Sequence, residues 1–592
     1  MRFKYFATAI AAITLAGCSN NDDVPAGNNQ PDANKAQAYL KVKINQTGGS
    51  GVSRGSVPTD NEFEQATADE YNISSAKFYF YDANGNYVTD GNLTKQEIGG
   101  SEEKTDTKLD FKSNAVVVLK NTGKGYPKYM VTVLNAPESF NAEKKSLTEL
   151  EKMLALAADG KVWTEKDNKC ENFIMSTSSY LESGSRTVAN KTYFVTEIED
   201  RNYQSSESDA QNTANAVQVY VERLAAKVSF NISDEKFTKE NTKEVDNESN
   251  KRTIYKLETV TVAEDKKEED TGTNNISKQL YADILGWGLT NTAKNSYMMM
   301  NLGEKWTATV PFTGWQPSTT EYRSYWGMST LYNETTINDK NLNRSSWLDA
   351  DTPINSNTNY NYCAEHTYKT LTKDNLPKDA TSVLIKAQLV DEDGQPVEYI
   401  RYNGLLWTYE RFVENMCQTA GVYKKVGDEY TVLSPKDEAV CKFEHLGQGA
   451  IKLVISLNNS TTENEITLYD KNGTEITAES LTLINSTLES LVTPQEGSSN
   501  TKAIAYENGM MYYTIPIEHL YNDNDKDKIV EGEYGVVRNH YYKLTLTALS
   551  KIGHGVYKEN EVIIPEPDPD YYYVGAQINV LSWHVVEQDV EL

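Results

Sequence analysis

The chain has 592 residues, with 85 Asp and Glu against 58 Lys and Arg, and a formal net charge of -27 at pH 7. This balance argues against nucleic acid as a partner, because phosphates require a basic surface, and it suits a surface protein that resists nonspecific association. The length allows two or more domains. The 38 tyrosines, together with frequent Thr and Val and many Asn, Asp and Gly turn signals, predict a mainly β chain.

Residues 1–18 have the pattern of a bacterial lipoprotein signal peptide. Two basic residues precede a short apolar run, which closes with small residues before Cys18. The run is too short to span a bilayer, and no later segment is long and apolar enough to do so. We therefore predict that the membrane is reached only through a lipid on Cys18. A buried N-terminal helix is the weaker interpretation.

Residues 19–54 are predicted to be a propeptide that contains a removable first strand. The apolar positions of that strand alternate with polar ones, and they are Ala38, Leu40, Val42 and Ile44. A Gly- and Ser-rich loop around Arg54 follows, and such exposed loops are where proteases cut. Cleavage between Arg54 and Gly55 would remove the lipid anchor together with the strand. Alternatively, Arg54 is an ordinary surface arginine in a linker.

Residues 55–215 are predicted to form a first β-sandwich domain. Aromatic residues before the turn at Asn84 and Gly85 indicate a hairpin. Ser146 and Glu149 form a capping-box pattern, which predicts one clear helix. The polar segment ahead of Val217 marks the predicted boundary of the domain.

Residues 216–565 are predicted to form a second sandwich domain. Their short apolar runs are separated by loops, without the regular alternation of strands and helices that a parallel sheet requires. This pattern favours antiparallel sandwiches.

Residues 566–592 are predicted to be a C-terminal donor tail, set off by a proline-broken acidic run. The last 22 residues are rich in β-branched and aromatic types, which predicts one extended strand without a hairpin partner. Such a strand pairs within its own domain or adds to a sheet edge of another molecule. The candidate donor residues are Ile578, Val580, Leu581, Trp583, Val585, Val586, Val590 and Leu592. They fall on both even and odd positions, so the register stays open and a bulge is possible.

No catalytic, metal or cofactor site is predicted, and the chain is not expected to be an enzyme. The six histidines lack metal-ligand spacing, and the sequence contains neither a nucleophile elbow nor a phosphate-binding glycine loop. Asp523, Asp525 and Asp527 begin like a calcium loop that lacks the required Gly and Glu. Four further cysteines have no CxxC spacing and are expected to be core thiols; a single disulfide stays open. These are Cys170, Cys363, Cys417 and Cys441.

The chain resembles the fimbrillins of Bacteroidales, the type V pilins, and among them the shaft subunits of the short fimbriae of Porphyromonas. The residues that carry the resemblance are the lipobox ending at Cys18, the Arg54 loop, and the runs VYVERLAAKV, YCAEHT, VVRNHYYKLTLTALSKIG and INVLSWHVVEQDVEL. The resemblance implies two transthyretin-like antiparallel β-sandwich domains and export to the outer membrane as a lipoprotein. It also implies cleavage at Arg54 by an arginine-specific surface protease and donation of residues 571–592 within an extracellular fimbria.

The leading functional hypothesis is therefore a fimbrial shaft subunit that polymerises by strand exchange and mediates adhesion and biofilm formation. Its partners would be other copies of itself, tip and anchor subunits, and host or bacterial surface ligands. A tip or anchor role in the same fimbria is a second hypothesis. A third is a monomeric surface lipoprotein that binds glycan or host protein on an aromatic platform, formed by Trp315, Tyr322, Trp326 and Trp347.

Overall fold

The structure is a computed structural model, and it describes most of the chain. The described residues are 37–47, 52–53, 66–97, 109–120, 126–155, 160–167, 169–178, 193–212, 214–247, 250–264, 274–302, 326–354, 359–369, 371–457, 466–494, 502–519, 529, 531–565, 575–582 and 584–591. Strands predominate over helices among these residues, so the predicted mainly β class is confirmed.

The first part of the chain contains strands β1 to β12. Their bounds are β1 Gln37–Thr47, β2 Val52–Ser53, β3 Ala76–Tyr81, β4 Tyr87–Glu97, β5 Leu109–Lys120, β6 Tyr129–Leu134, β7 Thr164–Lys166, β8 Lys169–Glu171, β9 Met175–Thr177, β10 Thr196–Glu197, β11 Tyr203–Gln204 and β12 Val217–Arg223. The helical segments here are short, and they are Leu147–Leu150, Asp200–Asn202 and Glu207–Asn212.

The second part contains strands β13 to β37. Their bounds are β13 Ala225–Ile232, β14 Thr242–Asn247, β15 Asn250–Lys256, β16 Val260–Glu264, β17 Asn274–Lys278, β18 Tyr281–Thr290, β19 Thr292–Ala293, β20 Leu342–Asn343, β21 Asn361–Ala364, β22 His366–Thr367, β23 Ser382–Val390, β24 Tyr399–Tyr402, β25 Leu405–Trp407, β26 Tyr423–Val426, β27 Glu429–Val432, β28 Cys441–Gly447, β29 Ala450–Ile455, β30 Leu468–Tyr469, β31 Ala503–Tyr506, β32 Met510–Pro516, β33 Gly535–Val536, β34 His540–Ala548, β35 His554–Gly555, β36 Gly575–Ser582 and β37 His584–Glu591. The helical segments are Leu376–Asp379, Tyr409–Ala420, Ala478–Val492 and Glu507–Gly509.

The N-terminal sheet surrounds one apolar core. Its strands follow the order β10-β6-β3-β4-β5-β1-β12-β9; β11 pairs with β1, and β6 also pairs with β9, so the sheet closes on itself. The predicted hairpin is β3–β4, with Phe80 paired to Thr89 and Gly85 at φ 79° in the turn. Phe80 and Val117 are fully buried in the core. The removable strand predicted from the sequence thus belongs to the interior of this sheet.

The chain changes sheet at the fully buried Leu224. β12 follows the predicted domain boundary at 215/216, yet it pairs with β1 and β9 of the N-terminal sheet. β13 begins one residue after Leu224 and pairs with β21 and β34. This crossing lacks the Gly and Pro signals that usually mark a linker, and the charged Glu222 and Arg223 beside it are buried.

The C-terminal region packs two sheets face to face. One has the order β2-β36-β37-β34-β13-β21 and the other β14-β15-β18-β23-β32-β35. Between them, Phe230 of β13 approaches Trp287 of β18 with 6.2 Å between ring centroids. A further sheet, β17-β16-β25-β24-β31-β29-β28, shares a core with the helices Tyr409–Ala420 and Ala478–Val492.

Two sequence expectations differ from the structure. The sheets are not purely antiparallel, because β1–β12, β13–β34 and β34–β37 are parallel pairs. Parallel partners lie far apart in the sequence, so no local turn signal indicates them. The capping box of Ser146 and Glu149 is present, but its helix ends at Leu150, and the longer helices near residues 409 and 478 were not predicted.

A buried ion pair and its hydrogen bonds join the N-terminal and C-terminal regions. Glu70 Oε1 lies 2.9 Å from Lys227 Nζ, with each side chain only 1% exposed, and the Tyr362 hydroxyl donates to Glu70 at 2.7 Å. Burial alone would raise the pKa of Glu70, but the nearby Lys227 and Arg223 hold it below its usual value. Arg223 also donates to Asn539 at 2.9 Å. The two regions therefore share a desolvated polar joint.

Candidate functional site: the first strand and the C-terminal tail

β1 lies between other strands along its length. On one side it runs antiparallel to β5, from Gln37 opposite Lys120 to Thr47 opposite Leu109. On the other side it pairs first with β11 and then, in parallel, with β12 from Val42 to Gln46. An interior strand satisfies the backbone groups of both neighbours, so its removal would leave two unpaired edges facing one groove.

The side chains of β1 that the structure describes alternate as the sequence predicts. Leu40 and Val42 are fully buried in the N-terminal core, and Leu40 lies opposite the fully buried Val117 of β5. Lys41, between them, is partly exposed and donates through Nζ to the carbonyl oxygen of Gln211 at 3.1 Å. The groove around β1 thus accepts aliphatic side chains at alternate positions and a polar one between them.

A buried tyrosine, Tyr203, lies beside β1. Tyr203 of β11 pairs with Leu40, and its hydroxyl donates to the carbonyl oxygen of Pro127 at 2.6 Å. Its ring stacks on Tyr126 with 4.4 Å between centroids. Burial raises the pKa of Tyr203, so the phenol remains a protonated donor at physiological pH.

The C-terminal tail forms two strands where one extended strand was predicted. β36 and β37 pair antiparallel with each other, from Gly575 opposite Glu591 to Ser582 opposite His584. β37 also runs parallel to β34, which in turn pairs with β13. The expectation that the tail has no hairpin partner was therefore wrong. The sequence where the two strands meet, Ser-Trp-His at residues 582–584, contains no Gly, Pro or Asn to signal a reversal.

The residues just ahead of Arg54 also pair with the tail directly. β2, the two residues that immediately precede Arg54, pairs antiparallel with β36: Val52 lies opposite Val580 and Ser53 opposite Asn579. Residues 37–53 therefore contribute one strand to the N-terminal sheet and a second, very short one to the sheet that carries the tail. The sequence analysis missed this contact, because two residues in a Gly- and Ser-rich run give no periodic signal.

Several predicted site residues lie outside the described residues. These are Cys18, Arg54, Gly55, Trp583 and Leu592. The others fall on strands: Ala38, Leu40, Val42 and Ile44 on β1, Ile578, Val580 and Leu581 on β36, and Val585, Val586 and Val590 on β37. The two sets belong to different sheets of one chain and do not pair with each other.

Two residues of the predicted aromatic platform are buried. Trp326 is fully buried and Trp347 is 7% exposed. The indole nitrogen of Trp347 donates to the carbonyl oxygens of Ala387 and Met511, at 3.2 and 2.9 Å. Both rings are core residues and cannot stack on a ligand, while Trp315 and Tyr322 lie outside the described residues.

Other polar clusters in the described part of the chain serve packing. No group of three or more His, Cys, Asp or Glu within it is arranged to hold a metal ion. His366, for example, is fully buried, with Nδ1 2.9 Å from the Tyr368 hydroxyl and 3.0 Å from that of Thr381.

Free thiols are found at all four cysteines that the structure describes, Cys170, Cys363, Cys417 and Cys441. A search of the described residues for a helix with the length and hydropathy needed to cross a bilayer finds none.

Residues 504–589 match a family model. Its description is "Major fimbrial subunit protein type IV, Fimbrillin, C-terminal". The matched segment runs from β31 into β37, so it includes β34 and nearly all of the tail hairpin. No curated protein matches the chain.

Several solved structures have a limited similarity to the chain. A protein of Parabacteroides distasonis assigned to cell adhesion is 10% identical, covers 93% of this chain and 98% of its own, and gives a TM-score of 0.31. One from Bacteroides eggerthii with the same assignment is 14% identical over 62% and 78%, with a TM-score of 0.25. The tip fimbrial protein Mfa3 of Porphyromonas gingivalis, truncated at its C-terminus, is 12% identical over 70% and 98%, with a TM-score of 0.24.

Proposed function

We propose that this protein is a structural, non-enzymatic subunit of a cell-surface fimbria, of the shaft type, and that it polymerises by strand exchange. The observation that carries the proposal is the interior position of β1, a strand that the sequence connects to the rest of the chain through an arginine loop. The fimbrillin match over residues 504–589 supports the fimbrial assignment.

In this proposal the chain is exported as a precursor lipidated at Cys18, and an arginine-specific protease then cuts between Arg54 and Gly55. The cut separates β1 and the lipid anchor from the rest of the protein. Before it, the covalent strand competes for its own groove at an effective concentration in the mM range or above, so a strand from another copy cannot displace it. Cleavage therefore acts as the switch for assembly.

After the cut, the groove between β5 and β12 would be left without its strand. Re-exposing large buried side chains such as Leu40 and Val42 costs about 1.5–3 kcal/mol each, and the neighbouring strands lose backbone partners as well. The tail of a second copy would relieve that state by β-strand addition. Each copy then offers one groove and one tail, a heterologous arrangement that yields an open fibre rather than a closed dimer.

The pairing of β2 with β36 supports a second effect of the same cut. In the uncut chain, Val52 and Ser53 pair with the edge of the tail hairpin. They precede Arg54, so proteolysis detaches them from the mature chain together with β1. One cleavage would therefore vacate the acceptor groove and uncover the tail.

A monomeric ligand-binding lipoprotein is the competing class of function. The burial of Trp326 and Trp347 argues against the aromatic platform suggested for this class. A fibre of the proposed kind would present many copies of one surface, which suits adhesion to host or bacterial surfaces and the formation of biofilm. Tip and anchor subunits would complete the assembly.

The test uses the chain from Ser19 onward, cut at Arg54, with N-terminal sequencing to verify a new terminus at Gly55. We expect a ladder of oligomers that survives mild denaturant. Deletion of residues 571–592 should abolish the ladder without preventing the cut. Arg54→Ala should prevent both. Arg201→Ala, which alters an arginine with 67% side-chain exposure, should change neither and is the matched control. Ladders formed without the tail, or none formed after verified cleavage, would overturn the proposal.

A further inference from the structure

Two of the four described cysteines lie side by side in the C-terminal region. Cys417 is in the last turn of the helix Tyr409–Ala420, and Cys441 is the first residue of β28. Residues 418–440 separate them, a spacing that gives no sign of a contact in the sequence. In the structure both side chains are buried in the core that the two longer helices share with the sheet ending in β28, and their thiols are hydrogen-bonded to each other.

The backbone around the pair holds the two sulfurs together. The amide of Leu433, one residue after β27, donates to the sulfur of Cys417. Asp437 links this segment to the second cysteine. Its carboxylate accepts from the Ser434 amide at 2.8 Å, and its carbonyl oxygen accepts from the Cys441 amide at 2.9 Å. Hydrogen bonds therefore connect the chain beside one thiol with the chain beside the other.

The other two described cysteines belong to different cores. Cys363 of β21 is buried with Trp287 and Tyr542 between the two face-to-face sheets. Cys170 of β8 packs against the core of the N-terminal sheet. Among the described residues, only the helix-containing core holds two cysteines. The tertiary structure thus selects one pairing from those that the sequence leaves open.

We infer that Cys417 and Cys441 are a disulfide-forming pair. The bond joins the end of the helix Tyr409–Ala420 to the start of β28 and closes a loop around the hairpin β26–β27. The two thiols give up two electrons and two protons to the disulfide of a thiol oxidant, which is reduced to two thiols as it exchanges with the pair. Export, which belongs to the proposed function, would bring the chain to an oxidising compartment where such bonds persist.

The bond forms while this region folds, before its core closes. The hydrogen bond with Cys441 and burial raise the pKa of the Cys417 thiol, so the folded, reduced chain holds little of the thiolate that attacks a disulfide. The side chains are also only 0% and 4% exposed, which keeps an oxidant away from them. In the unfolded chain both thiols are accessible and have ordinary pKa values.

The test refolds the chain from Ser19 onward out of urea, either with a reductant or with a mixture of oxidised and reduced glutathione. After oxidative refolding, alkylation in denaturant should label two thiols, whereas all four are labelled in the reduced chain. The mass before alkylation should fall by about 2 Da, for the two hydrogens lost. Four labelled thiols after oxidative refolding would overturn the inference.

Tryptic mapping identifies the cysteines that are joined. Lys424 and Lys436 lie within the loop, so after digestion only a disulfide can hold the peptide of Cys417 to that of Cys441. We expect this linked pair without reductant and its two separate peptides with reductant. A predominant link to Cys170 or Cys363 would overturn the pairing.

Single variants provide a second assignment. Cys417→Ala and Cys441→Ala should each keep three labelled thiols after oxidative refolding, because the remaining cysteine has lost its partner. Cys363→Ala also removes a buried sulfur and is the matched control; it should keep one. Thermal unfolding verifies that each variant is folded. Three labelled thiols in the control would contradict the pairing, as would one in either variant of the pair.

The two redox forms of the unmodified chain test whether the bond fits the fold. A disulfide that native geometry accepts stabilises mainly by restricting the unfolded chain, so oxidation should raise the Tm by at least about 3 °C. An unchanged or lower Tm would mean that the bond distorts the core, and it would overturn the inference.

The order of folding and oxidation is measured separately. The same glutathione mixture, added to the chain already folded in the reduced state, should form the bond at least about tenfold more slowly than during refolding. Equal rates would refute formation before the core closes. These measurements require neither cleavage at Arg54 nor the tail, so their failure would leave the proposed strand exchange standing.

Discussion

The first strand and the outer strand of the tail have similar sequences but opposite positions in their sheets. β1 has partners on both sides, β5 on one and β11 with β12 on the other. In the part of the chain that the structure describes, β36 pairs with β37, with Val52 and Ser53 of the very short β2 and, at Leu581, with Tyr541 of β34. The same alternating pattern is therefore compatible with an interior and with an edge position.

This difference bears on the proposed strand exchange, in which β1 is removed and the tail of another copy replaces it. An interior strand is expensive to lose, so a groove left without it favours replacement. A strand near the edge of a sheet is less costly to release than an interior one. The two positions lie in different sheets of the molecule, and the covalent β1 occupies its groove in the uncut chain.

The largest loss of stability is expected from a variant that breaks the polar joint between the two regions. Glu70→Gln removes the negative charge beside Lys227 and leaves a buried, uncompensated ammonium group, which should lower the free energy of unfolding by about 3–5 kcal/mol. Urea unfolding measures this loss. Glu70→Gln combined with Lys227→Met should recover part of it. A loss below about 1 kcal/mol in the single variant would contradict the shared joint.

A smaller effect tests the interior position of β1 alone. Leu40→Ala in the uncut chain should lower the free energy of unfolding by about 2–5 kcal/mol, because it creates a cavity at a fully buried site. Hydrogen exchange should increase in β5 and β12 but not in β13 and β34. Leu483→Ala, at a leucine that is 71% exposed, is the matched control and should change stability by less than about 0.5 kcal/mol. Equal losses in the two variants would refute the interior assignment.

The buried His366 of the C-terminal region should make stability depend on pH. Burial lowers the pKa of His366 to about 3, whereas the unfolded chain protonates this residue below about 6.5. Between these values the unfolded state binds more protons, so stability falls as the pH falls, by about 1.4 kcal/mol per pH unit from this group. Between pH 7.5 and pH 5, His366→Gln should lose about 2 kcal/mol less stability than the unmodified protein in urea unfolding. Equal pH dependence in both proteins would show that His366 does not cause the loss of stability at low pH.

The smallest effect is expected at the surface. Lys551 and Glu258 form an ion pair 2.8 Å apart, with side chains 42% and 56% exposed. Glu258→Gln should change the free energy of unfolding by less than about 1 kcal/mol, because solvent and salt screen the interaction. Thermal unfolding at low and high salt measures the difference. If Glu258→Gln lowered the free energy of unfolding as much as Glu70→Gln does, solvent exposure would not explain the difference expected between the two ion pairs.

The features that depend on local order could be predicted from the sequence. Alternation at Leu40 and Val42 predicted a strand with a buried face, and both side chains are buried. Asn84 and Gly85 predicted the β3–β4 turn, and Ser146 with Glu149 predicted a capped helix start. These signals are local, because period, turn chemistry and capping depend on residues a few positions apart.

Which strands are neighbours could not be predicted from the sequence and is seen only in the three-dimensional pairing. The parallel pairing of β1 with β12 joins segments more than 170 residues apart, and that of β2 with β36 joins segments more than 500 apart; neither has a local signal. No local signal in the sequence indicates that the tail divides into β36 and β37. Strand partners are selected by packing and by the pairing of backbone groups across the whole chain, so the pattern of one strand specifies its buried face but not its neighbour.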